Sequence, residues 1–181
     1  GAHISGAGES TIIIDGVQYL HGCEYTVMAD RIAATTFMSA AAVTGSHITL
    51  KDIVPSHLEC VLPIFEEAGC SYHLKGDALS ITGPKRLQPL KLVRTMPYPG
   101  FPTDAQAPVM AMAALAEGTS VFVETIFESR YKHVCELTRL GAKIKVEGRV
   151  AIIEGVPKFY GTSVCAAELR GAAALVVAGL A

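Results

Sequence analysis

Short runs of β-branched and aliphatic residues alternate along this chain with Ala-rich stretches of helical period, and the whole pattern recurs about every seventy residues. Three segments set the register: Ile12-Ile13-Ile14-Asp15-Gly16-Val17, Leu79-Ser80-Ile81-Thr82-Gly83-Pro84 and Ala151-Ile152-Ile153-Glu154-Gly155-Val156. Each reads as a strand followed by a glycine turn. Between them the order repeats as an acid, an Ala-rich helix, Gly45 or Gly118, a β-branched strand, a second helix ending at Ala68-Gly69 or Gly141-Ala142, and two further strands. The unit is present twice in full and is framed by a partial copy at each end. This register makes Asp30, Asp104 and Glu168 equivalent acids, each placed where an extended segment becomes a helix.

The first full unit predicts a helix from Asp30, a strand over His47–Leu50 and a second helix over Leu58–Ala68. In that helix Ser56 and Glu59 have capping-box spacing, Leu58, Leu62 and Phe65 share one face, and Gly69 supplies the stop. Pro63 predicts a kink or an early break. The second unit predicts a helix near Asp104–Ala116, a strand over Ser120–Glu124, a helix near Ser129–Leu140 with a stripe of Tyr131, Val134, Leu137 and Leu140, and strands over Lys143–Val146 and Val150–Ile153. A third unit opens at Glu168-Leu169-Arg170 and runs through the apolar stretch to Ala181. Ahead of the first unit, strand-like runs fall at Thr11–Ile14 and around Tyr25, with no helix. The fold class expected is α+β, with the small-residue helices packed inside and the sheets outside. The segment up to about Val27 reads as the closing strands of a preceding unit.

Composition narrows the possibilities. Of the 181 residues, 50% are apolar and 18% charged, which supports a packed core and argues against disorder. The longest apolar stretches fall short of the roughly 18 residues that suggest a membrane span, so no membrane partner is expected. A net charge of −2 without a basic run gives no footprint for nucleic acid. Five cysteines with no C-x-x-C pair, and scattered histidines, indicate free thiols, no metal and a reducing, cytoplasmic setting. No secretory leader opens the chain, and a first residue that is not Met, with a last helix that lacks a stop signal, predicts a segment of a longer protein. Its incomplete third unit would leave apolar helix surface uncovered, so self-association is also expected.

Chemistry concentrates in two places. Pro97-Tyr98-Pro99-Gly100-Phe101-Pro102-Thr103-Asp104 is a proline-stiffened loop that delivers a carboxylate to a helix start. An isolated acid there is ordinarily a helix cap, but the stiff loop and a nearby arginine favour a functional role. Glu124-Thr125-Ile126-Phe127-Glu128-Ser129-Arg130 leads from a strand into a helix with acids and an arginine close together. Glu168-Leu169-Arg170 and Asp30-Arg31 repeat the acid–arginine pairing, a pattern suited to anionic ligands once the pairs converge.

Gly100-Phe101-Pro102-Thr103-Asp104-x-Gln106-Ala107, Ala116-Glu117-Gly118-Thr119, Glu124-Thr125-Ile126-Phe127-Glu128-x-Arg130, His133-Val134 and Glu136-Leu137-x-Arg139-Leu140-Gly141-Ala142 resemble the UDP-N-acetylglucosamine enolpyruvyl transferases, in order and over essentially the whole chain. The resemblance implies an inverse-barrel fold of two halves of three βαβαββ units each, closing on substrate between them, with residues 1–27 as the closing strands of the first half and 28–181 as most of the second. It implies transfer of the enolpyruvyl group of phosphoenolpyruvate to the 3′-hydroxyl of UDP-N-acetylglucosamine with release of phosphate, in peptidoglycan precursor synthesis, without a cofactor. It further implies Asp104 as sugar contact and general base, Ile126 as a backbone contact to the nucleotide sugar, Arg130 and Arg170 beside phosphoenolpyruvate, and Asp30, Glu128 and Glu168 as acids lining the site. Position 168 is usually Asp in such proteins, Ala33 stands where many carry Glu, and Ser129 where many carry Asn. The family's catalytic cysteine loop, its N-terminal lysine and asparagine, and a last arginine have no counterpart here, and all five cysteines read as buried or incidental thiols. The isolated chain is therefore expected to be inactive without its N-terminal half; the alternative is a non-catalytic nucleotide-sugar binding or regulatory half-domain.

Overall fold

In the computed structural model, which describes residues Gly1–Ala181, the small-residue helices do lie at the centre. Helix α1 (Arg31–Thr44) and α2 (Leu62–Glu67) precede α3 (Thr103–Ala113), α4 (Val134–Arg139) and α5 (Leu169–Gly179). Every residue of α3 from Ala105 to Ala113 is buried. This helix packs between α1 and α5, which also touch one another. Alanine at Ala107, Ala111, Ala113 and Ala174 leaves no bulk to hold the axes apart.

The strands β3 (His47–Leu50), β4 (Ser71–Lys75) and β5 (Ala78–Thr82) form an antiparallel sheet in the order β3-β5-β4. The second sheet runs β6-β7-β9-β8, from β6 (Val93–Arg94), β7 (Thr119–Val123), β8 (Lys143–Glu147) and β9 (Val150–Glu154), with only β6 and β7 parallel. Alternation decides which face is buried: Leu79 and Ile81 on β5, and Ala151 and Ile153 on β9, have no exposed surface, while Ile152 between the last two is 44% exposed. The two middle strands thus present the same register to the helices, as the sequence repeat requires.

The repeated glycines have a specific packing cause. After β9, Gly155 meets the end of α3 so closely that a Cβ there would lie 1.6 Å from the Ala116 carbonyl oxygen. Its N–H donates to the Gly118 carbonyl at 2.9 Å, and the next N–H, of Val156, donates to that of Ala114 at 2.8 Å. Gly83 makes the same approach to the end of α1, where a Cβ would stand 2.3 Å from the Ala41 carbonyl oxygen. The first copy, Gly16, has nothing within 4 Å. Its segment forms only a hairpin, β1 (His3–Ser5) paired with β2 (Ile13–Asp15), and no residue up to Asp30 is buried. Ile12, Ile13, Tyr19, Leu20 and Tyr25 are all more than half exposed.

Three local expectations are corrected. No strand forms around Tyr25, because no neighbouring strand pairs with it. The helix expected over Leu58–Ala68 begins only at Leu62, after a 3-10 turn at Pro55–His57. Pro63 sits in its first turn, where a missing N–H costs nothing, and the Ser56–Glu59 capping box is not formed. Leu58, Leu62 and Phe65 are nevertheless all buried. The helix expected from Ser129 begins at Val134, since Arg130 and Tyr131 turn toward α3 and β7 instead. All five cysteines are free thiols: Cys70 is buried and Cys60 partly so, while Cys23, Cys135 and Cys165 are exposed. Burial raises the Cys70 thiol to about 11, so it stays protonated and unreactive at neutral pH.

Phe37 on α1, Val176 on α5 and Leu180 just after it are apolar residues more than half exposed. No helix is long and apolar enough to cross a membrane, and no group of three or more His, Cys, Asp or Glu side chains is placed to hold a metal.

The two glycine environments predict different costs. Gly155→Ala has no room and should lose about 3 kcal/mol or more, whereas Gly148→Ala, in a β-turn with positive φ but open space around it, should lose only about 1–2 kcal/mol. Urea unfolding midpoints of the two variants test the order; equal losses would contradict the helix-end contact.

Candidate functional site

The site is built at the N-terminal end of the central helix. Pro102 is the residue before α3 and offers no side-chain cap. Thr103 could have capped the helix, but its hydroxyl donates instead to Glu124 Oε2 at 2.9 Å. Asp104 follows in the first turn and turns its carboxylate outward to two arginines. Arg130 Nη2 donates to Oδ1, and Arg170 Nη2 donates to Oδ2 at 2.9 Å. The ordinary capping role therefore does not account for Asp104. Pro108, one turn further on, has no N–H to return to the Asp104 carbonyl.

Each partner arrives on a different element. Arg170 lies in the first turn of α5, so its contact sets the starts of α3 and α5 side by side. Arg130 comes from the loop between β7 and α4, and its guanidinium also lies 5.1 Å from the centre of the Phe127 ring. That loop is held by Glu124, a carboxylate that is only 1% exposed. Glu124 Oε1 accepts the backbone N–H groups of Ile126 at 2.8 Å and Phe127 at 3.0 Å. Its Oε2 accepts Thr103 and the amide of Gln106, the latter at 3.2 Å. A buried carboxylate with four donors is well satisfied, and here it joins the end of β7 to the first turn of α3. Reading the sequence alone assigned no role to Glu124, although it opens the acid- and arginine-bearing Glu124–Arg130 segment singled out there.

A cleft of about 270 Å³ opens beside Asp104, lined by Arg31, Ile32, Met96, Tyr98, Thr103 and Ile126 among others. The proline loop forms one wall, closed by Met96 N–H donating to the Phe101 carbonyl at 2.9 Å. Arg31 lies with its guanidinium 5.3 Å from the Tyr98 ring centre. The starts of α1 and α3 both face this cleft, adding their positive dipole ends to the arginine charge. Such a cleft suits an anionic ligand and holds a single carboxylate, that of Asp104, able to take a proton.

The other acids expected at the site are placed differently. Asp30 is the N-cap of α1, its Oδ1 accepting Ile32 N–H at 2.7 Å and Ala33 N–H at 3.2 Å; it is Arg31, not Asp30, that lines the cleft with Asp104. Glu128 has a side chain 90% exposed and reaches Arg149 at 3.7 Å. Glu168 precedes α5 without capping it and points inward to His133. So Asp104, Arg130, Arg170 and Ile126 converge, whereas Asp30, Glu128 and Glu168 stand at its margins. The three acids that the repeat makes equivalent occupy three different environments.

His133 is buried, and burial together with the nearby Arg130 charge lowers its pKa to about 4. The unfolded chain takes up a proton at this ring below its ordinary value near 6.5, while the folded chain resists until about pH 4. Unfolding therefore binds a proton in that window, and stability is fully present above pH 6.5 and declines as pH falls, by up to about 3 kcal/mol from this group. His133→Asn should flatten that part of the profile in urea titrations between pH 7 and 4; an unchanged slope would contradict the burial of a neutral ring.

Comparison with known proteins agrees with this architecture. A family model described as EPSP synthase (3-phosphoshikimate 1-carboxyvinyltransferase) matches residues 1–181. The chain is 48% identical over 180 residues to UDP-N-acetylglucosamine 1-carboxyvinyltransferase 2 of Caldanaerobacter subterraneus subsp. tengcongensis, covering 99% of this chain and 43% of that protein. It is 49% identical over 181 residues to the UDP-N-acetylglucosamine 1-carboxyvinyltransferase of Gloeobacter violaceus, covering 39% of it. The chain thus spans less than half the length of these relatives. Among solved structures, the enolpyruvyl transferase NikO from Streptomyces tendae superimposes with a TM-score of 0.82 at 26% identity, over 99% of this chain and 43% of that one. EPSP synthase from Acinetobacter baumannii shares the fold with a TM-score of 0.66 at 23% identity, over 99% of this chain and 45% of that one. With a family model matching from end to end, the chain belongs to the EPSP synthase family of enolpyruvyl transferases.

Proposed function

We propose that this chain is the C-terminal portion of an enzyme that transfers the enolpyruvyl group of phosphoenolpyruvate to the 3′-hydroxyl of UDP-N-acetylglucosamine, releasing phosphate, in cytoplasmic peptidoglycan precursor synthesis. The observation that carries the reading is the carboxylate of Asp104 held between Arg130 and Arg170 at the edge of a cleft that Ile126 also lines. The names of the relatives supply the substrate class.

In this reading the sugar enters the cleft with its 3′-hydroxyl at Asp104 and its backbone contact at Ile126. The hydroxyl oxygen forms a bond to C2 of phosphoenolpyruvate while C3 gains a proton, giving a tetrahedral adduct. Loss of a C3 proton and cleavage of the C–O bond to phosphate then leave the enolpyruvyl ether. Asp104 accepts the hydroxyl proton: each of its oxygens receives one arginine and keeps a second lone pair free. A positioned carboxylate in that role is worth about 10²–10⁴-fold. Arg130 and Arg170 fix charge where the carboxylate and phosphate of phosphoenolpyruvate sit, and stabilise both through the adduct. No side chain on this segment is assigned to protonate C3; that group belongs to the N-terminal half. The uncovered residues 1–27 are the closing strands of that half, and the isolated chain is inactive.

Asp104→Ala in the full-length protein should lower kcat about 10²–10⁴-fold, with UDP-N-acetylglucosamine binding weakened but measurable by calorimetry. Nucleotide-sugar binding together with unchanged turnover in that variant would reject Asp104 as the base. Nucleotide-sugar binding with no transferase activity in the unmodified full-length protein would establish a binding half-domain in place of an enzyme.

A further inference from the structure

Beneath the first turn of α5 lies a pair of buried polar groups that the proposed chemistry does not use. The side chain of His133 has no exposed surface, and neither ring nitrogen has a hydrogen-bond partner. Facing it at 3.8 Å from Nδ1 is Glu168 Oε1, which is likewise buried and unpartnered. A void of about 10 Å³, bounded by both residues and by Glu136, Cys165, Gly171 and Leu175, adjoins them. Two unsatisfied buried groups of complementary kind at this distance are costly apart and complementary together.

The Arg130 backbone carbonyl is the one competing acceptor beside the ring, close enough to favour its protonated form yet short of a full hydrogen bond. Glu136 is turned away, accepting the Cys165 N–H at 3.0 Å and Arg139 Nη1 at 3.2 Å. Gly171 lets the ring approach α5, since a Cβ there would lie 3.0 Å from the His133 Cβ. Desolvation keeps the ring neutral, and a neutral imidazole carries one proton, on one nitrogen or the other. The gap of 3.8 Å exceeds a hydrogen bond by about 1 Å, and the void gives the glutamate side chain room to close it.

We propose that His133 is a positioning residue whose neutral ring donates its Nδ1 proton to Glu168, fixing the carboxylate that opens α5 two residues before Arg170. The bond locks the start of α5 against the β7–α4 connection. Arg130 and Arg170, which approach Asp104 from those two elements, are thereby held in a common frame.

The direct test is long-range ¹H–¹⁵N correlation of the His133 ring in this chain at pH 6. A neutral ring protonated on Nδ1, losing that preference in Glu168→Ala, is the expected result. A proton on Nε2, an imidazolium, or a spectrum unaffected by Glu168→Ala would overturn the proposal. A second measurement rests on the transferase reading and uses the full-length protein. His133→Leu should lower kcat/KM for phosphoenolpyruvate about tenfold, His133→Asn should restore most of it, and the His133→Leu and Glu168→Ala effects should be non-additive. Additive effects, or equal losses with Leu and Asn, would leave His133 a packing residue only and overturn the positioning role. An unmodified parent without transferase activity would reject the transferase reading and leave the tautomer result to decide the contact itself.

Discussion

One buried carboxylate organises the site. Glu124 closes β7, and its four accepted hydrogen bonds reach both the first turn of α3 and the backbone that starts the next loop. Removing such a group strands several buried donors at once, each costing about 1–3 kcal/mol. Because the bonds come from two directions, they fix where α3 begins relative to the sheet and aim the Ile126–Arg130 segment back across the helix start. The meeting of Arg130 with Asp104 follows from that geometry. Glu124 makes no ion pair and faces no cleft; its role is to hold the frame on which Asp104 stands.

The repeat then places three acids at three helix starts and gives each a different task. Asp30 satisfies the orphan N–H groups of α1. Asp104 is relieved of that duty because Pro102 precedes it and Thr103 is committed to Glu124, so its carboxylate is left for the arginines. Glu168 reaches inward to a buried ring in place of capping α5. Duplication supplied equivalent positions, and local partners separated them: a free backbone donor, a converging pair of guanidinium groups, a buried imidazole.

Much of this was legible before any coordinates. The period showed where β5, β9 and their glycine turns lie, because only glycine tolerates the close approach at Gly83 and Gly155. The small side chains of α1, α3 and α5 predicted a helical interior, and the family resemblance brought Asp104, Arg130 and Arg170 to one site, where the acid–arginine pairs alone did not. Other features depend on partners far apart in sequence. The stripe of Leu58, Leu62 and Phe65 marked a buried face correctly, yet it did not show that the chain reaches Leu62 before it becomes α-helical. The start of α4 was likewise hidden by Arg130 and Tyr131, whose side chains are drawn to other elements. Neither Glu124 nor His133 stands out as a letter; each acquires meaning only from the groups that tertiary structure brings around it.

The central claim is that the Glu124-based frame presents Asp104 to a sugar hydroxyl between two arginines. A crystal structure of the full-length protein with UDP-N-acetylglucosamine tests it most directly. The account predicts the sugar 3′-hydroxyl within about 2.6–3.2 Å of an Asp104 carboxylate oxygen, with the Ile126 backbone against the same sugar and Glu124 retaining its four donors. A sugar bound elsewhere, or a 3′-hydroxyl directed to Glu128 or Glu168 while Asp104 contacts only its arginines, would contradict it.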